Sequence, residues 1–520
     1  EYLMSQTTPP TQNPIPPYQA ARFLQRASFS STDSEIAEVQ SLGYEAWLKQ
    51  AFDQAISTSN WDWLTEQDYD TEELKGKAAT IQAMMWRLIT SPDVLRQRYA
   101  LALSEFFVVG FNGVALPHRN FALAAWWDML CAHAFGNYRD LLEAVTLSPA
   151  MGRYLNTAGN QKEDPIKGRQ PDENYAREVL QLFSIGLQQL NQDGSPILDD
   201  KGRPIETYTQ DDISQLARVF TGWVLSQKPD IDNLDFARQP MRFVPARHSM
   251  LEARFLGVTI PANTDGIKAL RIALDTIFKH PNVGPFFGKQ MIQRLVTSNP
   301  SPAYVARVAR AFDNNGQGVR GDMKAVVRAI LLDQEARNIT QPADPNFGKL
   351  REPILCFLQW ARSFHASAEE GKWNVGDLSN PGVSLGQQPL DAPSVFNFFR
   401  PAYVPPNTAI AKQELVAPEF QLVNEASVAG YINFMQRTIA QGQGDVRADY
   451  SSELKIAHDA DALVQRLNLI LCAEQMSKDT FSIIRNAIST IDPNTEAGKN
   501  NRVHAAILMT MSSPDYLIQR

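Results

Sequence analysis

Surplus positive charge is missing from this sequence: 49 Lys and Arg stand against 57 Asp and Glu in 520 residues, for a formal net charge of -8. Lys and Arg are spread along the chain without a basic stripe. With nothing to displace counterions from phosphates, nucleic-acid binding is not expected. Cysteine is nearly absent. Cys131, Cys356 and Cys472 are too few for a disulfide framework and show no metal-type pairing. Each stands between apolar neighbours and reads as a buried small hydrophobe, with room for one disulfide at most. No apolar run spans a membrane either: the best, 106–116, is broken by Gly110, Asn112 and Gly113, far short of about 20 residues.

Motifs of catalysis are missing in the same way. The 7 histidines form no H-x-x-x-H or H-E-x-x-H arrangement, which excludes a zincin-type site. Asp313-Asn314-Asn315-Gly316-Gln317-Gly318 begins like a calcium loop, but Gln317 and Lys324 stand where that loop needs oxygen ligands, so it reads as a helix-ending loop. Gly316-Gln317-Gly318-Val319-Arg320-Gly321 spells a dinucleotide fingerprint, yet it follows a helical run rather than a strand. Gly382-Val383-Ser384-Leu385-Gly386 spells a hydrolase elbow inside a segment that promises neither the strand before it nor the helix after it. No P-loop and no C-x-x-C-H occurs. No cofactor and no metal is expected.

Helix signals are abundant. Thr32-Asp33-Ser34-Glu35 is a capping box, followed by Ile36, Val39, Leu42 and Trp47 at helical spacing. Ser-Pro recurs at Ser91-Pro92, Ser148-Pro149, Ser301-Pro302 and Ser513-Pro514, where Ser suits the N-cap and Pro the first helical position. Thr209 with Asp212 opens another helix, whose apolar stripe is Ile213, Leu216, Ala217, Phe220 and Trp223. The fold class expected is mainly α: a large irregular multi-helix body, a short β-hairpin near 190–208 and an ordered irregular segment near 367–406. Residues 1–17 are Pro/Thr-rich and read as a tether left after signal-peptide removal; 18–520 read as one helical domain, with a sub-boundary near 340–350 allowed.

Several segments together resemble a bacterial exported family, domain of unknown function 1800 (DUF1800). They are Ala20-Ala21-Arg22-Phe23-Leu24, Asp172-Glu173-Asn174-Tyr175-Ala176-Arg177-Glu178, and Tyr208-Thr209-Gln210-Asp211-Asp212 running on to Arg218 and Thr221-Gly222-Trp223. His248 with Phe255-Leu256-Gly257, Lys349, Glu352-Pro353, Leu385-Gly386-Gln387 and Pro393-Ser394-Val395-Phe396-Asn397 follow in order. The resemblance implies an exported, mainly helical protein, often encoded beside a second exported family (DUF1501) that resembles sulfatases and alkaline phosphatases. It implies no reaction. One departure stands out: many members carry a Trp-x-x-His-Phe segment where this chain reads Leu103-Ser104-Glu105-Phe106-Phe107, so any role for that histidine passes to Glu105 or is lost.

Candidate catalytic residues come from the densest polar cluster. Glu173 and Arg177 stand four apart, as do Asn174 and Glu178, so each pair shares a helix face beside the stripe of Tyr175, Val179, Leu182 and Phe183. A carboxylate at the margin of a packed face can be partly desolvated, as a general acid requires; the plainer alternative is a surface salt bridge with a structural Arg–Glu network. His248 lies in a loop-like stretch without helical neighbours to bury it, as a base or switch would; a lone histidine is otherwise structural. Asn174, Asp212, Trp223, Arg218, Asn397 and Arg400 are candidate ligand-binding residues. Arg400, Trp360 and Trp373 offer stacking surfaces near the Phe-rich segment, whose phenylalanines otherwise plug the irregular stretch into the body.

Two functions compete. The first is a periplasmic or extracellular scaffold or binding protein for a co-exported sulfatase-like partner or a cell-surface polymer. The second is a carboxylate-based enzyme on an extracellular polymer such as a polysaccharide, with Glu173 or Glu178 as acid or base, Arg177 orienting an anionic group and His248 assisting. That reading needs two carboxylates in one cleft, about 5 Å or about 6.5–9.5 Å apart. A metal- or cofactor-dependent oxidoreductase ranks last.

Overall fold

The computed structural model describes residues 14–70, 76–228, 233–337 and 345–520. Most of the proposed N-terminal tether and much of the 340–350 stretch lie outside the described residues. Among these residues are 24 α-helices, and every sheet is a two-stranded antiparallel pair. The expectation of a mainly α body holds. No helix among the described residues is long and apolar enough to cross a membrane.

Local chemistry explains many helix starts. Thr32 and Glu35 form the capping box at the head of Asp33–Leu42, and Thr209 and Asp212 form another at Gln210–Val219. Ser301 and Ser513 cap helices that have Pro at the first position. Ser148 occupies the N-cap of Pro149–Tyr154 without a side-chain bond. Ser91-Pro92 departs from the pattern: it links two helices, and Asp93 is the N-cap of Val94–Phe106. The expected hairpin is a three-limbed meander. Bridges Gln188↔Glu206, Leu190↔Pro196 and Leu198↔Pro204 join limbs that turn at Gly194 and Gly202, both at positive φ. The 367–406 stretch contains one two-residue strand, Ser367–Ala368, and otherwise packs irregularly.

A single apolar cluster extends from Ala20 near the start to Tyr516 near the end. Arg119–His133, apolar on nearly every side, buries Trp126 and Trp127 against Asn60–Glu66 and Gly76–Thr90. At the other end of the chain, Ala460–Cys472, Lys478–Ser489 and Glu496–Met511 form a second trio, and Pro17–Ala27 packs on the first of these. Strand Lys349–Leu350 pairs with Ile518–Gln519, tying the chain's last residues to its middle. All three cysteines are free and buried.

Helix C-termini end in the interior, where the last carbonyls lack intrahelical donors. Buried cations supply them. Arg362 donates to Leu88 O (2.8 Å) and Ser91 O (3.0 Å), and Arg96 to Cys131 O (2.7 Å). Arg22 and Arg26 both donate to Ala336 O, Arg320 to Phe278 O and His280 O, and Arg502 to Ser489 O and Ile491 O. The helix dipole favours positive charge at these positions.

Asp212 should be the most sensitive of the N-terminal caps. One carboxylate oxygen accepts from Thr209 N (2.8 Å), while the other accepts from Leu256 N (3.1 Å) and so ties the helix to the hairpin it packs on. Asp212→Ala is expected to lower stability by about 1–2 kcal/mol in chemical denaturation, more than Thr209→Ala, which loses only the cap.

Candidate functional site

The nominated residues on Asn174–Gln181 and Gln210–Val219 lie on two helices that pack together, whereas Asn397 and Arg400 belong to the irregular segment. Glu173 precedes the helix Asn174–Gln181, which starts at Asn174 rather than Asp172, and its carboxylate is spoken for. It accepts from Gln210 Nε2 (2.8 Å) and Ser214 Oγ (3.0 Å), with Arg177 at 3.6 Å. Asn174 faces solvent. Glu178 is half-buried and its Oε2 has no partner. Burial pushes its carboxyl up and Arg177 opposes this. Burial and then the Glu178 charge push Tyr154 and Tyr208 each up to about 12.

His248 corrects the sequence reading: it is only 2 % exposed. The loop bearing it folds under the body, with Nδ1–H donating to Thr221 O (2.9 Å) and the Phe243 ring 5.3 Å away. Burial pushes its imidazole below the usual range, although the Thr221 bond and the charges of Asp265 and Glu163 oppose this. Arg218 donates to the Glu252 backbone carbonyl. Trp223 is buried against Phe243, and Arg400 is exposed over the Phe396 ring at 4.1 Å. Trp360 is fully buried, its Nε1 donating to Tyr450, so the three stacking surfaces do not converge. Ser384 is buried and donates to Asn380 O, as a turn residue does.

Convergence occurs elsewhere, and it takes in Asn397. Arg98 and Glu105 stand two turns apart on Val94–Phe106 and face the C-terminus of Val283–Leu295. There Arg98 Nη2 (3.0 Å) and Lys349 Nζ (2.7 Å) both donate to Arg294 O. The three cations meet three buried carboxyls. Arg294 pairs with Glu105 at 3.2 Å, and Lys349 with Glu419 at 3.1 Å and, more loosely, Glu352 at 3.9 Å. Glu352 occupies the N-cap of Pro353–Ser363, where the helix dipole favours its ionised form. Its Oε1 accepts from Gln387 Nε2 at 2.9 Å.

Glu105 and Glu352 are in hydrogen-bond contact, and two carboxylates cannot make such a bond. One proton is required. Burial, the charge of Glu352 and the bond to it hold the Glu105 carboxyl well above the usual range, outweighing Arg294 and Lys349. Burial also works against the Glu352 charge, but Lys349, the bond from Glu105, Arg98 and Gln387 together hold its carboxyl below the usual range. The proton therefore stays on Glu105, the partner whose carboxyl is raised. Beside the pair is a chamber of about 10 Å³, lined by Ser104, Glu105, Gln387, Asn397 and Phe398 among others, with room for about one water. Asn397, held at positive φ, is buried there with its Nδ2 unpartnered.

Across the network lies an open cleft of about 1130 Å³. Ser298 lines it and its hydroxyl reaches Glu419 Oε2 at 3.5 Å, so the charged cluster underlies the cleft wall. Asn299, Ser301, Gln334 and Gln475 add amides and hydroxyls, and Phe347 with Pro300 and Pro302 adds apolar surface. Lys289 also lines it from an exposed position, and no carboxylate among the described residues pairs with it. Neither Glu173, Glu178 nor His248 lines the cleft or the chamber. Among the described residues, no three His, Cys, Asp or Glu side chains are arranged to hold a metal ion.

Sequence reasoning reached Glu105, Lys349, Glu352 and Gln387 only through the resemblance, and Asn397 also through the Phe-rich segment that carries it. Their own signal was faint: charged residues inside apolar runs, such as Phe106-Phe107 after Glu105 and Ile354-Leu355 after Glu352. The cleft carried no local signal, since its lining comes from segments more than 450 residues apart. A family model described as "Protein of unknown function (DUF1800)" matches residues 22–518. No curated protein and no solved structure matches the chain.

The proton's location is testable through stability. Glu105→Gln keeps an N–H donor towards Glu352 and should cost about 1 kcal/mol or less. Glu352→Gln leaves Lys349 and Arg98 without their counter-charge and should cost about 3–5 kcal/mol. The pH dependence has two signs. Because Glu105 is raised on folding, its contribution is full below the unfolded pKa and is lost as pH rises through the folded value; the lowered Glu352 contributes above the unfolded pKa and loses its part as pH falls through the folded value. Melting curves should therefore show the advantage of Glu105→Gln over the wild type growing as pH is raised from 5. An advantage that shrinks over that range would place the proton on Glu352.

Proposed function

From the premise that this chain belongs to the DUF1800 family, we propose that it is an exported binding protein whose cleft holds a stretch of a cell-surface polymer. The observation that carries this reading is the cleft itself. Its volume of about 1130 Å³ is at the upper end of what small ligands occupy and suits a few residues of a chain passing through. Its lining of side-chain amides, hydroxyls, prolines and one aromatic, with Arg22, Lys289, Glu335, Glu414 and Arg520 adding charge of both signs, offers a hydroxyl-rich polymer many polar partners and some apolar surface.

Two side-chain carboxylates line the cleft among the described residues, Glu335, which accepts from Ser301 N (3.0 Å), and Glu414. The buried carboxyls are not placed for hydrolysis there. Glu105 and Glu352 contact each other rather than flanking space for a glycosidic bond. Both are fully buried and neither lines the cleft. Glu173 is engaged with Gln210, Ser214 and Arg177. Export rests on the family resemblance. A sulfatase-like exported partner of the DUF1501 type remains the occupant that the resemblance suggests if no polymer binds.

Lys289 and Gln334 line the cleft from exposed positions and hold no partner, so a Lys289→Ala/Gln334→Ala variant should fold normally. In affinity electrophoresis through gels containing dextran, xylan, chitosan or alginate, at least one polymer is expected to retard the wild type. The double variant should lose at least fivefold in apparent affinity. Equal retardation of both proteins would move the binding surface elsewhere. No retardation, with recovery of a stable protein partner from the periplasm or medium, would replace the polymer reading with the partner reading.

A further inference from the structure

Most arginines in this protein have a fixed task. Arg22, Arg26, Arg96, Arg98, Arg362 and Arg502 each donate to a backbone carbonyl, and most others hold a carboxylate or a ring. Arg153, Arg242 and Arg247 do none of this. None of their three side chains has a hydrogen bond, ion pair or ring contact among the described residues, and they are also the arginines that line one groove of about 370 Å³.

They reach it from separate elements. Arg153 comes from the helix Pro149–Tyr154, Arg242 from the strand Arg242–Phe243, and Arg247 from the 3-10 turn Pro245–Arg247. Pairing of Val224 with Arg242 brings the strand beside Leu225 and Gln227, and the bond from Lys162 N to Arg247 O (2.8 Å) fixes the turn. Chance on one amphipathic face does not produce this gathering, because no two of the three share a helix. The floor is apolar, made of Ala158, Val224, Leu225 and Val244; Gly159, with φ +81 and no atom near its missing Cβ, leaves one side open. Among the described residues no acidic side chain lines the groove, in a chain whose net charge is -8.

We propose that this groove is an oxyanion site, separate from the cleft, that takes a phosphate or sulfate ester borne on a sugar. Guanidinium forks match tetrahedral oxyanions bidentately and are weakly hydrated, so three arginines that line one groove, with no acidic side chain among the described lining residues, supply the donors such a group requires. The volume exceeds what a bare ion fills, and the apolar floor with the Gln227 amide suits the sugar ring that carries the ester. A nucleic acid is disfavoured, because no aromatic side chain among the described residues lines the groove for a base to stack on.

The test is calorimetric titration of the full chain with glucose 6-phosphate, glucose 6-sulfate, dextran sulfate, neutral dextran and a single-stranded oligonucleotide. Wild type is compared with Arg242→Glu/Arg247→Glu and with Arg271→Glu, a control at another exposed, partnerless arginine. Because the exposed guanidinium groups contact nothing, the groove variant should melt with the wild type. Wild type and control are expected to bind dextran sulfate or the sugar esters, more weakly as salt rises, while the groove variant loses at least tenfold. Binding of the monosaccharide esters as well as the polymer identifies a free sugar ester as sufficient; binding of dextran sulfate alone identifies an ester on a polymer. The proposal is overturned if the groove variant binds as tightly as the wild type, if no sulfated or phosphorylated probe binds at low salt, or if the oligonucleotide binds more tightly than dextran sulfate.

Discussion

The termination of helices inside the protein is the constraint on which the rest of this structure depends. A helix that stops at the surface leaves its last carbonyls to water, but a body built from many short helices around one apolar cluster must end several of them in dry surroundings. Here guanidinium and ammonium groups from distant segments supply the missing donors. Arg22 and Arg26, from the first described helix, close the end of Gln334–Arg337 more than 300 residues away. Each such bond satisfies a carbonyl, places positive charge at the negative end of a helix and links two elements that sequence separates.

That solution creates a second requirement. A cation taken out of water needs compensation, and where several caps meet the requirement is concentrated. At the end of Val283–Leu295, Arg98 and Lys349 donate to one carbonyl and Arg294 itself turns inward. Glu105, Glu352 and Glu419 answer them. The Glu105–Glu352 contact then follows from geometry: carboxyls drawn to one cation cluster approach each other, and one stays protonated. The polar concentration at the centre of the protein is thus explained by helix packing before any chemistry is assigned to it. It also underlies the cleft wall through Ser298.

The fold was legible because its start signals are local. Thr32–Glu35 and Thr209–Asp212 each lie within four residues, and so does the serine cap at Ser301. The stop signals are not local. Nothing beside Ala336 or Arg294 announces that an arginine or lysine tens or hundreds of residues away will cap it, which is why the network escaped a reading made along the chain. His248 failed for the same reason: its neighbours in sequence, Pro245 and Arg247, look like an exposed loop, whereas Gly222 and Gly266 pack so tightly on the histidine that it is enclosed. The polar cluster on Asn174–Gln181 was visible because helical spacing shows it, but spacing could not reveal that Glu173 would be bound by Gln210 and Ser214 from another helix.

Position 105 joins these threads. The cations that cap Val283–Leu295 draw its carboxyl into the interior, where Arg294 pairs with it at 3.2 Å. A second ionised carboxylate out of water beside Glu352 is disfavoured, and burial together with the Glu352 charge keeps the proton on Glu105. A protonated glutamate can donate a hydrogen bond as well as accept one, which a carboxylate cannot. Helix packing therefore demands a neutral donor at this position, and the role of Glu105 is structural before any acid–base chemistry is assigned to it.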